Sequence, residues 1–207
     1  MDEIMNKAEN FVKGLTLRDL AKLGGVFSSV SAVTILTIVV IISEVNILTG
    51  NISVFTYTYG PYSNIILPTF MLAAIVGVPF LILLMFNSKN IFEWIGSTLF
   101  LLSTLAFFFN SYYPLEVYPE HVFAAILWMS FMIFSQFFYG TGRILNDDKE
   151  LGLKIIWLGI FALTFWVTWA AWRVFAPGLF LPEYFGGALP YGIYAFVLSV
   201  KLYKDEL

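Results

Sequence analysis

His121 is the only histidine in the chain, and there is no cysteine. Glu120 precedes it directly, and Glu116 stands about one helical turn before that. A carboxylate beside an imidazole at the start of a helix is an acid/base arrangement. The helix N-terminus favours the carboxylate and lowers histidine basicity, so a neutral imidazole can accept a proton. The same pair also reads as structure, because a histidine at a helix start often spends its ring on hydrogen bonds. A haem held by two histidines and a multi-histidine metal centre are both excluded. Without cysteine there is no thiolate nucleophile, disulfide framework or cysteine metal site, and the redox compartment is unreadable. Glycine-rich nucleotide loops and a Gly-x-Ser-x-Gly elbow are absent. Neither a cofactor nor a metal is expected.

Four further polar residues, Glu44, Asn110, Arg173 and Glu183, fall at the same predicted depth as Glu116, Glu120 and His121. Charged side chains near hydrocarbon are costly and usually face a bundle interior or a polar cavity. One reading is therefore an outward-facing pocket for a polar headgroup or small solute. The other is solvated loop ends with one structural ion pair. Arg173 follows Trp169 by four residues, which stacks guanidinium on indole one turn away, and it has four carboxylates to choose from. It reads as a clamp on one of them or as a recogniser of an anionic headgroup.

The elements that must position these groups follow from composition. Of 207 residues, 59% are hydrophobic and only 12% charged, and the mean hydropathy is +0.83. Such a chain has lipid as its main solvent. Apolar runs cover residues 24–48, 65–86, 91–110, 121–142, 154–175 and 184–203, each long enough to cross a bilayer. The fold class is all-α, a polytopic bundle of about six transmembrane helices. Residues 1–23 form an amphipathic interfacial segment, with Ile4, Ala8, Phe11, Val12 and Leu15 at helical spacing, and residues 204–207 form a tail. Thr16 with Asp19 resembles a capping box from which a helix runs toward the first span. The first apolar run is too long for a cleaved signal peptide. The loop after it carries an alternating stretch, Ser53 to Thr58, that reads as a short extended cap.

With the N-terminus in the cytoplasm, ten basic residues flank the spans on the inner side and Arg173 alone lies outside. The positive-inside rule thus places both termini in the cytoplasm of a multi-pass cell-membrane protein. Net charge is −3 with no basic stripe, so nucleic acid is not an expected partner. The ending Lys204-Asp205-Glu206-Leu207 matches a retrieval signal that is read in the lumen, whereas the charge count puts it in the cytosol. The match reads as accidental. Asn51-Ile52-Ser53 is an acceptor sequon close to the membrane. Tyrosines and tryptophans suit interfacial belts. Ala188, Gly192, Ala195 and Ser199 form a small-residue stripe that predicts close packing on another helix of the same bundle.

The stretch Gly96 to Gly142 has Tyr113-Pro114 ahead of Glu120-His121, and Phe123-Ala124-Ala125 opens the next span. Tyr62-Ser63-Asn64 precedes the second span, and Pro182-Glu183-Tyr184 opens the last. In these features the chain resembles the prokaryotic six-span family called domain of unknown function nine-nine-eight, itself similar to the eukaryotic Frag/DRAM-like membrane proteins. That resemblance implies the six-span fold over nearly the whole chain. It also points toward lipids, since some of the eukaryotic relatives are linked to lipid remodelling and lipid asymmetry.

Three functions follow in order. A lipid- or small-solute-binding module, or an accessory subunit of a larger membrane complex, needs only the bundle and the outer pocket, with membrane lipids and protein subunits as partners. An outer-leaflet lipid-modifying enzyme would use Glu120 and His121, with Glu116 as the third candidate. A transporter comes third, because the middle thirds of the spans read as apolar, with Gln136 toward the cytoplasmic end of its helix.

Overall fold

In hydrocarbon an unpaired backbone amide has no water to bond, so each apolar run closes its hydrogen bonds internally as a helix. The structure, a computed structural model, describes residues 15–42, 62–113, 117–173 and 184–207. These are helical, with no strand among them. The elements are α1 (Leu17–Ile42), α2 (Ser63–Phe86), α3 (Ile91–Tyr112), α4 (Tyr118–Leu145), α5 (Lys149–Arg173), a π-helical turn (Tyr184–Ala188) and α6 (Leu189–Tyr203). Six helices are long and apolar enough to cross a membrane. The chain is an all-α, multi-pass integral membrane protein.

Local chemistry sets the helix starts. Thr16 Oγ1 accepts from the Asp19 amide, and the Asp19 carboxylate accepts from the Thr16 amide, so α1 opens at Leu17 on a reciprocal cap. This start falls inside the segment read as interfacial, residues 1–23. Asn90 caps α3 by accepting from the Glu93 amide at 3.0 Å. Pro119 near the start of α4 and Pro190 near the start of α6 lie where a missing N–H costs little. Pro68 and Pro79 stand inside α2, which remains one helix. Such breaks are tolerated where neighbouring groups take up the freed carbonyls. The helices overrun several of the apolar runs: α4 extends to Tyr118 and Leu145, and α5 begins at Lys149. Helical hydrogen bonding continues past the point where side chains turn polar.

Each helix packs against the next in the chain, and α6 returns to α1. One end of the bundle, called here the near end, carries Leu17, the α2–α3 turn, the α4–α5 turn and Tyr203. The far end carries the α3–α4 connection. Lipid gives no hydrophobic drive to hold helices together, so close approach at small residues must do it. A Cβ on Gly96 would stand 2.6 to 2.8 Å from Tyr139 backbone and Cβ atoms, which lets α3 lie directly on α4. The stripe on α6 faces α1. Gly192 lies against Val33 and Ser29, and Ser199 Oγ donates to the Lys22 carbonyl (2.5 Å) and accepts from the Val26 amide (3.1 Å). It is a seam within one bundle.

The interior departs from the apolar reading of the middle thirds. Thr104 and Tyr191 hydroxyls meet at 2.9 Å, Ser135 and Tyr194 at 3.1 Å, and Ser135 donates to the Gly96 carbonyl at 2.7 Å. Phe100 stacks on Tyr194 with ring centroids 4.5 Å apart. Hydropathy averaged over a span hides such hydroxyls, because apolar neighbours on the lipid side outweigh them.

Candidate functional site

The α3–α4 connection at the far end was expected to deliver the acid/base groups. Asn110 and His121 are both buried, at 9% and 2% exposure, and are brought together there. The Asn110 amide donates to the His121 carbonyl at 3.0 Å. His121 Nδ1 lies 2.7 Å from the Tyr113 carbonyl. A carbonyl can only accept, so this contact assigns the proton to Nδ1 and leaves the lone pair on Nε2. Asn110 Nδ2 stands 3.4 Å from that Nε2. Both ring nitrogens thus point at groups of the α3 end, and the imidazole closes the α3–α4 turn from inside the bundle. Glu120 is exposed on the same helical turn. Adjacent residues on a helix diverge by about 100°, which separates the buried imidazole from its carboxylate neighbour.

Glu44, Glu116 and Glu183 lie outside the described residues, as do the side chains of Trp169 and Arg173. The alternating stretch Ser53 to Thr58 and the sequon at Asn51 lie outside them too. Among the described residues no group of three His, Asp or Glu side chains could hold a metal ion.

A second ionic site, at the near end, was not singled out from sequence. Glu93 is 1% exposed and Arg143 4% exposed. The Glu93 carboxylate accepts from the Lys89 amide (2.8 Å) and from Asn146 Nδ2 (2.7 Å). Arg143 Nη1 stands 3.6 Å from Glu93 Oε1, and its Nη2 donates to Asp148 Oδ2 at 2.7 Å. Asn90 Nδ2 completes the joint by donating to the Gly142 carbonyl at 2.9 Å. The α2–α3 turn is in this way tied to the α4–α5 turn. A glutamate in the first turn of an apolar helix was the available signal, since a charge inside a span needs a partner. Near the same end, Lys22 is 7% exposed and pairs with Asp205 at 2.5 Å, so residues of the Lys204 to Leu207 tail are engaged by the fold. Arg143 spends Nη2 on Asp148 and faces Glu93 through Nη1 at 3.6 Å, while its buried Nε and Nη1 make no hydrogen bond; the charges join the two turns.

Two apolar grooves open on the membrane-facing flanks. One, of about 300 Å³, lies between α1 and α6 and is lined by Val30, Val33, Leu189, Gly192, Ile193 and Phe196 among others. The other, of about 240 Å³, lies between α2 and α3. At the far-end side of the first, Thr37 and Tyr184 hydroxyls approach to 3.3 Å. No family model, no curated protein and no solved structure matches the chain.

Proposed function

We propose that this membrane protein is a lipid-binding module whose α1–α6 groove takes an acyl chain of a phospholipid. The groove itself carries the reading. Its walls are almost wholly apolar, it opens sideways between two spanning helices, and Gly192 lies in its wall beside Val33. Hydrocarbon is the medium on that flank, and each methylene fitted to a concave wall gains dispersion contacts that a flat helix surface does not offer. The Thr37–Tyr184 hydroxyl pair, one turn beyond Thr34, supplies polar atoms where the chain would meet its ester or headgroup. The outward-facing polar pocket read from the sequence, with Glu44, Asn110, Arg173 and Glu183, is the candidate for a headgroup under this proposal. Membership of the six-span family that the sequence resembles, some of whose eukaryotic relatives are linked to lipid remodelling, is part of the same proposal. The proposed setting is the cell membrane with both termini cytoplasmic, alone or as an accessory subunit of a larger complex.

Native mass spectrometry of the full chain released from mild detergent tests the reading. Wild type should retain a phospholipid that Val30→Trp, which fills the groove with an indole, largely loses. Equal retention by both, or none by either, would sink the proposal. A stoichiometric protein partner in place of lipid would favour the accessory-subunit role.

A further inference from the structure

On α4, His121, Trp128, Ser135, Gln136, Tyr139 and Arg143 are all buried and fall within an arc of about 100° at 3.6 residues per turn. This polar stripe runs the length of the helix through the bundle. Most of its members have partners. The Gln136 amide does not: neither Oε1 nor Nε2 has a hydrogen-bond partner, and the residue is 0% exposed. Trp128 Nε1, about 12 Å along the helix, is unpartnered as well. A buried amide lacking both its donor and its acceptor bond is strongly disfavoured, and such groups in proteins recruit polar molecules.

The surroundings define what fits. Across the seam on α5 stands Gly159, and a Cβ there would lie 3.4 Å from Gln136 Oε1 and 3.2 Å from its Cβ. Glycine there lets the α5 backbone come close to the amide, so that a methyl group at 159 would press on it. Ser135 Oγ, the adjacent hydroxyl, is already spent on Gly96 and Tyr194. The occupant must donate to Oε1 and accept from Nε2. It must also be uncharged, because the nearest described ion pair on this helix, at Arg143, is about one helical repeat of seven residues, or roughly 10 Å, away. We infer that the α4–α5 seam at Gln136 is a binding site for a small, uncharged molecule that both donates and accepts hydrogen bonds, water being the smallest. This goes beyond the lipid reading and does not rest on it. A polar station in the near-end half of the bundle gives its interior a role separate from its lipid-facing groove.

Gln136 is the only glutamine in the chain, so side-chain ¹⁵N-glutamine labels this amide alone. The full protein, reconstituted in phosphatidylcholine bilayers, is examined by water-edited solid-state NMR. Rapid magnetisation transfer from water to the Nε2 protons identifies water as the occupant. Transfer absent from water but present from added ¹³C-urea identifies a small amide-like solute reaching the same site. Transfer from neither, with cross-peaks only to protein protons, overturns the proposal. Gly159→Ala presses a methyl group against the amide and should cut the transfer severalfold, and unchanged transfer in a folded Gly159→Ala protein also overturns it.

Discussion

Arg143 reaches Glu93 across the α3–α4 seam, Nη1 to Oε1 at 3.6 Å, with the two side chains 4% and 1% exposed. Desolvating two charges is expensive, and removing one partner strands the other in a low-dielectric site. Arg143→Ala should therefore cost about 3–5 kcal/mol, whereas breaking an exposed pair such as Lys154–Glu150 costs under about 1 kcal/mol. Thermal unfolding in detergent compares them. A loss for Arg143→Ala no larger than for Lys154→Ala would show that the near-end clasp is not what joins the two turns.

Asp148, between α4 and α5, ties the same clasp to pH. Burial pushes its carboxyl up, but the Arg143 hydrogen bond, the Leu151 amide and the Arg143 and Lys201 charges outweigh it and hold the group below its ordinary value of 3.8. A depressed folded value stabilises the protein above the ordinary value, and that stability is lost as pH falls through the folded one. Melting temperature should thus fall more steeply below about pH 4 for wild type than for Asp148→Asn. Parallel curves would remove Asp148 from the linkage.

His121 should behave as a turn-closing residue. His121→Ala leaves the Tyr113 carbonyl short of a partner inside the bundle, while Asn110 keeps its bond to the backbone carbonyl of residue 121, and should cost about 1–3 kcal/mol. His121→Asn, which keeps some hydrogen-bonding capacity, should cost nearer 1 kcal/mol. Phospholipid retention should be unchanged by either. If a lipid-modifying activity is found and His121→Asn lowers it by roughly two to four decades, the residue is a general base instead.

Lys22 is almost fully buried, and its partner Asp205 is 78% exposed at the side chain. Deleting residues 204–207 removes that counter-charge and should lower the melting temperature without moving the protein to another compartment. Asp205→Ala should reproduce the destabilisation, at a cost between about 1 kcal/mol for an exposed pair and about 3 kcal/mol for a buried one. Relocation after the deletion, with stability intact, would make the Lys-Asp-Glu-Leu ending a true address.

Orientation is tested by single cysteines in this cysteine-free chain. An impermeant maleimide added to intact cells should label cysteine introduced at Asn51 or Glu116, and not at Asp148 or Asp205. Labelling at Asp148 would invert the topology.

Residue types and their order determined by themselves that this chain is six helices in a membrane. Lipid leaves the backbone no alternative, and span length is a property of consecutive residues. The same local logic set the Thr16–Asp19 cap. It also made a close seam out of the α6 stripe from Ala188 to Ser199, since small residues every turn can serve only a neighbouring helix. Tertiary structure alone decided which polar atoms meet. Glu93 and Arg143 are separated by a whole span, and nothing local chooses one basic residue from the ten expected at that end. Whether Gln136 faces lipid or the seam, and whether His121 points at solvent or at Tyr113, depends on how α4 is rotated against its neighbours. Packing of whole helices sets that angle, and hydropathy averaged along one helix carries no record of it.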